Sequence, residues 1–201
     1  MFAISVKSNI DDVIKSLDDG QRRQVPFAIS RALNATAFDA QRAVKKNLHK
    51  TFTLRSKWTE RGVRVIRSNK QKLVAVVLMG KGREYMGLHE FGGTRRAANK
   101  HIAIPEKIRR TKRSKISKAR RPRSVLNRAN TFKIEAGQES HLPPGIYQRM
   151  ARGRLKMLYA FETSTTYKKV FNFDKTIEGV TNNRFDKHFT KFLAQAMRTA
   201  R

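Results

Sequence analysis

VPFAISRALNATAFDAQRAVKKNL, residues 25–48, decides the fold class. Val25, Ile29, Leu33, Ala37, Ala40, Val44 and Leu48 recur every three or four positions, the spacing that lines one face of an α-helix. Pro26 is expected in the first turn, where a missing N–H leaves no bond unmade, and Lys45, Lys46 and Lys50 suit the negatively polarised end. A helix this long and one-sided needs a second layer to cover its apolar stripe.

The flanking segments supply that layer. Upstream, Phe2, Ile4 and Val6 alternate with Ala3, Ser5 and Lys7 as in a short strand. A short helix from about Ile10 to Leu17 follows, capped by Asn9, with Asp11 and Asp12 in its first turn and Asp18, Asp19 and Gly20 ending it. Downstream, Val63, Val65 to Arg67, Leu73 to Met79 and Tyr85 to Phe91 read as strands of an antiparallel meander. Lys81 and Gly82 make a tight turn, and Gly92 and Gly93 end the sheet. The unbroken LVAVVLM, residues 73–79, predicts a strand covered on both faces, by the long helix on one side and a neighbouring subunit or the terminal helix on the other. HIAIP, residues 101–105, is a further strand stopped by Pro105, and strand patterns return at Thr131 to Ile134, Gly145 to Met150 and Lys156 to Phe161. A final helix from about Asp174 to Thr199 carries a buried stripe of Phe185, Phe189, Phe192, Leu193 and Ala196. The expected architecture is therefore α+β: a long N-terminal helix packed on an antiparallel sheet, a basic extended arm and a C-terminal amphipathic helix. A length of 201 residues fits one domain, 1–201, with the arm as an insertion at about 106–130.

Charge narrows the functional classes. The chain has 45 Lys and Arg against 15 Asp and Glu, a formal net charge of +30, so a polyanion or an acidic protein is expected to supply counter-charge. The excess is densest from Lys107 to Arg123, where ten of seventeen residues are basic and the aliphatic residues are Ile108, Ile116 and Ala119. So little apolar area predicts a mobile or partner-ordered arm. Its candidate contacts with nucleic acid or an acidic partner are Lys107, Arg109, Arg110, Lys112, Arg113, Lys115, Lys118, Arg120, Arg121 and Arg123. Contact through phosphates is the expectation, without sequence reading, because no helix-turn-helix or zinc-finger pattern is present.

Catalytic chemistry finds no foothold. The chain has no cysteine, which excludes a disulfide framework, a thiolate metal site and a thiol nucleophile. His89 and Glu90 resemble the start of a zinc-protease helix, but position 93 is Gly where the second His must stand, and the five His show no metal-ligand spacing. KGRE and EFGGT form neither kind of nucleotide-binding glycine loop, and the densest carboxylates, Asp11, Asp12, Asp18 and Asp19, suit capping better than metal binding. Phe171 and Phe173 in FNF could stack on bases, but their context favours core packing. No enzyme activity, cofactor, metal or small-molecule substrate is expected. The longest apolar run, Leu73 to Met79, is far short of the ~20 residues a membrane helix needs, and the N-terminus lacks the apolar core of an export signal.

Several separated segments carry a family likeness. VPFAISRALNATAFDAQRAVKKNL is followed by FTLRSKWTERGVRVIRS at 52–68, then HIAIPEKIRRTKRSKISKARRPRSVL at 101–126, then GIYQRMARGRLKMLYAF at 145–161 and a terminal amphipathic helix. In this order the chain resembles the minor tail protein Z family of tailed bacteriophages, related to tail-completion and neck proteins. YMGLHEFGG, residues 85–93, resembles the EFG segment of tail-completion proteins, while Trp58 and Thr59 stand where a Pro-containing turn is expected. The resemblance implies a virion protein, assembled in the host cytoplasm, that completes the head-proximal end of the tail and joins it to the head around the DNA channel. Its implied partners are other neck and tail proteins and further copies of itself in a ring, with a hexamer favoured, and genomic DNA without sequence preference. Composition alone also suits a basic RNA-binding protein of ribosomal type.

Overall fold

The computed structural model of the chain describes residues 3–5, 19–111 and 115–199. Two compact units result, one of residues 1–92 with 169–201 and one of residues 93–168. The first is built on helix α1, Asp19–Thr51, whose seven periodic apolar residues are all buried. Strands β1 (Ala3–Ser5), β2 (Val63–Ile66) and β3 (Val76–Met79) form an antiparallel sheet in the order β1-β3-β2. Register pairs Val63 with Met79 and Val65 with Val77, so one face of the hairpin carries Val63, Val65, Val77 and Met79 into the core that α1 lines. Leu78, on the opposite face of β3, is buried as well.

Helix α4, Phe173–Thr199, completes this unit by lying along α1. Three cross-links fix it antiparallel. The Arg31 guanidinium donates to Gln195 Oε1 at 3.0 Å, His188 Nε2 meets Asp39 Oδ2 at 2.8 Å, and Asn47 Nδ2 donates to Thr176 Oγ1 at 3.3 Å and to the Phe171 carbonyl, just before α4, at 2.5 Å. Ala196 is buried on the α4 stripe, while Phe185, Phe189 and Leu193 pack half-buried against the core and Phe192 lies under the Arg31 guanidinium, 4.4 Å from its ring centroid. Phe171 and Phe173 are fully buried, which puts both aromatic residues of FNF in the core, with Asn172 between them exposed.

Three expectations change in this unit. Helix α1 spans Asp19–Thr51, so Asp19 and Gly20, expected to break the chain after a first helix, lie in helical backbone. Pro26 consequently stands inside α1, not in its first turn; burial of Val25, Ala28, Ile29 and Ala32 around it offsets the one intrahelical bond it removes. Tyr85–Phe91 is helix α2, not a strand, because Met86 and Glu90, one turn apart, are the two residues that point inward. The third strand of the sheet is therefore β1 from the N-terminus. The Lys81–Gly82 turn is present, with Gly82 at φ 80°, and joins β3 to α2. The expected helix at Ile10 to Leu17, and Phe2 and Val6 of the first strand, lie outside the described residues.

In the second unit β5 (Ile102–Pro105), β6 (Thr131–Ile134), β7 (Gly145–Arg149) and β8 (Leu155–Glu162) form an antiparallel sheet in the order β5-β8-β7-β6. Gly145 permits the tightest approach, since a Cβ there would stand 2.4 Å from the Tyr159 carbonyl oxygen. Gly93 does not end a sheet but starts β4 (Gly93–Arg96), which pairs with β9 (Ser164–Tyr167) in an exposed two-stranded ribbon. Among the described residues no helix is long and apolar enough to cross a membrane.

Candidate functional site

The described residues of the basic segment, 107–111 and 115–123, belong to the second unit and are anchored on its sheet. Ile108 and Val125 are buried, Ile116 and Leu126 half-buried, and together they pack on Ile146, Leu158 and Tyr159 of the sheet. The expectation that Lys107 to Arg123 is an extended arm without a core is corrected here: two isoleucines, with Val125 and Leu126 just beyond, are enough to anchor a loop to a sheet that already presents an apolar face. A 3-10 turn at Lys118–Arg120 and helix α3, Pro122–Leu126, give it local order, with Pro122 at the favoured start of the helix.

Backbone acceptors within the segment are tied down by side chains. The Tyr159 hydroxyl donates to the Arg120 carbonyl at 2.6 Å, and Arg128 Nη2 donates to the Ala119 carbonyl at 2.8 Å. Arg120 Nη1 reaches the Arg109 carbonyl at 3.4 Å, and the Thr111 N–H donates to the Lys115 carbonyl at 2.8 Å. Burial pushes the Tyr159 hydroxyl above the usual tyrosine value, and the nearby positive charge of Arg110 acts against that rise.

These contacts sort the ten candidate residues. Lys107, Arg109, Lys115, Lys118, Arg121 and Arg123 are exposed. Arg110 and Arg120 are half-buried: Arg110 holds one guanidinium nitrogen out of solvent beside Tyr159, and Arg120 braces the loop. Lys112 and Arg113 lie outside the described residues. Six of the ten therefore present charge outward, and Arg120 uses its side chain to hold the segment's shape.

A tract of adjacent charges shows in sequence, whereas charges spread over separate strands do not. Arg95 and Arg96 on β4, Arg149 at the end of β7, and Arg152 and Arg154 in the β7–β8 turn are all exposed in the same unit. Residues 93–168 hold twenty Lys and Arg against four Glu. Glu135 receives both Lys133 at 2.5 Å and Lys100 at 3.5 Å, so one carboxylate is shared by two lysines; hydrogen bonding from Lys133 and the charge of Lys100 hold its carboxyl below the usual value. Few acidic groups are left to offset the rest, and the field of this unit is strongly positive.

The segment singled out for its His-Glu pair has a structural use. Glu90 is buried, and its carboxylate accepts the Phe173 N–H at 2.6 Å and the Asp174 N–H at 3.4 Å, capping the N-terminus of α4. Burial lowers the His89 pKa below the usual histidine value, and its ring stands edge-on to Phe52 at 5.0 Å. Among the described residues no group of three His, Asp or Glu converges to hold a metal ion. No protein-family model, curated protein or solved structure matches the chain.

Proposed function

We propose that this chain is a structural assembly protein of a tailed bacteriophage particle, completing the head-proximal end of the tail and helping to join it to the head around the DNA channel. The tail assignment rests on the order of the segments beginning VPFAISRALNATAF, FTLRSKW, HIAIPEK and GIYQRMA. The observation that carries its physical part is the concentration of charge on residues 93–168, twenty basic against four acidic, with Lys107, Arg109, Lys115, Lys118, Arg121 and Arg123 all exposed. A surface of that kind binds phosphates by releasing counterions and needs no base contacts. Copies arranged in a closed ring would direct many such surfaces at one duplex.

The test replaces Arg109, Lys115, Lys118 and Arg121 by Ala, four exposed residues outside the bracing contacts. Duplex affinity is measured across a salt series alongside the yield of infectious particles. Each lost phosphate contact is expected to flatten the log–log salt slope by about 0.9, equally for unrelated sequences. An unchanged slope with failed particle assembly would overturn the DNA contact in favour of an acidic protein surface. Fractionation of the parent protein with ribosomes instead of particles would replace the tail assignment with the RNA-binding alternative.

A further inference from the structure

We propose that an open groove in the first unit, between the end of α1, the following loop and α2, is a docking site for an acidic segment of a different protein that inserts an aromatic or aliphatic side chain. The groove measures about 620 Å³, within the range of pockets that hold ligands. Its more buried lining is Phe52, Leu54 and Met86, and its more exposed lining is Trp58, Tyr85 and Arg55. This inference does not rest on the tail assignment.

The exposed aromatics are held in place. Trp58 is 48% exposed and Tyr85 39% exposed, yet both have fixed neighbours. The Arg83 guanidinium lies 4.0 Å from the centroid of the Trp58 ring and also donates to the Trp58 carbonyl at 2.8 Å. The Tyr85 and Thr59 hydroxyls are 2.7 Å apart, and the Trp58 and Tyr85 rings are parallel to within 11° at 6.3 Å. Phe52, deeper in, is wedged edge-on between Phe171 at 5.8 Å and His89 at 5.0 Å. Much of the entropy of ordering these rings is lost when the chain folds, so an occupant gains apolar burial with little further ordering. Trp, Tyr and Arg together are the residue types on which binding energy concentrates.

Charge selects the occupant. Arg55 is the cationic residue of the lining, and Lys57 and Arg61, both exposed, follow it in the chain within six residues. The two carboxylates nearby are engaged: Glu60 lies 3.2 Å from His49, and Glu84 accepts the Gly82 N–H at 2.8 Å. With 15 Asp and Glu against 45 Lys and Arg, a second copy of this chain has few acidic segments to offer this groove, so its occupant is an acidic segment of a different protein. Nucleic acid fits less well, because a phosphate track needs several cations along its length and one lines this groove. An apolar anchor flanked by carboxylates satisfies both the Phe52–Leu54–Met86 lining and Arg55.

Trp58 is the single tryptophan of the chain, so fluorescence of the full-length protein reports on the groove directly. The probes are short acidic peptides carrying one Phe or Leu, matched acidic peptides with Ser in that place, the same apolar residue flanked by Lys, and oligothymidylate. A saturable blue shift is expected with the acidic apolar peptides, weakened about tenfold or more in Leu54→Asp and in Arg55→Glu. Arg55 is exposed, so its variant keeps the test valid if Leu54→Asp misfolds. No shift with any acidic apolar peptide, an equal response to the Ser peptides, or tighter binding of oligothymidylate would each overturn the proposal.

Discussion

Glu90→Ala removes the cap of the C-terminal helix at a point where water cannot replace it. Glu90 is 2% exposed, and its carboxylate accepts two backbone N–H groups, the closer from Phe173 at 2.6 Å. Hydrogen bonds to a charged group contribute about 1.5–3 kcal/mol each, and a buried N–H left unpaired costs about 1–3 kcal/mol. The second contact, at 3.4 Å, is long and adds little. The expected loss is therefore about 2–4 kcal/mol, above the usual ~0.5–2 kcal/mol for a helix cap because this one is buried and charged. Glu90→Gln keeps an acceptor for the Phe173 N–H but gives up the charge facing the helix N-terminus, and is expected to lose about half as much. Urea unfolding followed by Trp58 fluorescence reads the unit that holds the cap. With a urea slope of about 2 kcal/mol per M, a 3 kcal/mol loss lowers the midpoint by about 1.5 M. An Ala variant whose midpoint stays within about 0.3 M of the parent would refute the capping role.

Other changes separate the two cores and the helix pair. Val77→Asp places a carboxylate in the α1 core and is expected to cost about 4 kcal/mol or more, while Ile66→Asp, on a side chain 55% exposed, should stay within about 0.5 kcal/mol; both are read by urea midpoints. Val125→Asp should release the basic loop from its sheet and speed tryptic cleavage between Lys107 and Arg123 about tenfold or more, measured by mass spectrometry of timed digests; unchanged cutting would mean the loop is held some other way. Burial pushes the Asp39 carboxyl up, but hydrogen bonding from His188 and the Arg42 charge outweigh it and hold it below its usual value. A depressed folded value means that the ionised group contributes stability above about pH 4, lost as pH falls through the folded value. Asp39→Asn should therefore be less stable than the parent at neutral pH, and the gap in thermal midpoint should close as pH drops below about 4.

What sequence alone determined about this chain is what local periodicity encodes. The stripe from Val25 to Leu48 needs nothing distant to be recognised, because an α-helix brings every third and fourth residue to one face. Strands at 63–66, 76–79, 102–105, 131–134, 145–149 and 155–162 were legible in the same way, and each lies within or close to the expected span. The basic tract was legible as charge, and six of its residues do face outward. Tertiary structure decided the remainder. Tyr85–Phe91 alternates well enough for a strand, and it becomes a helix because Met86 and Glu90 are both drawn inward, the acid to meet the N-terminus of a helix more than eighty residues later. Ile108 and Ile116 looked too sparse to hold a segment, and sparse they are; the sheet of Ile146, Leu158 and Tyr159 provides the rest of the core they enter. Pattern reports which side chains can share a face, but which distant group completes that face depends on closing long loops around it, and no window of sequence contains both partners.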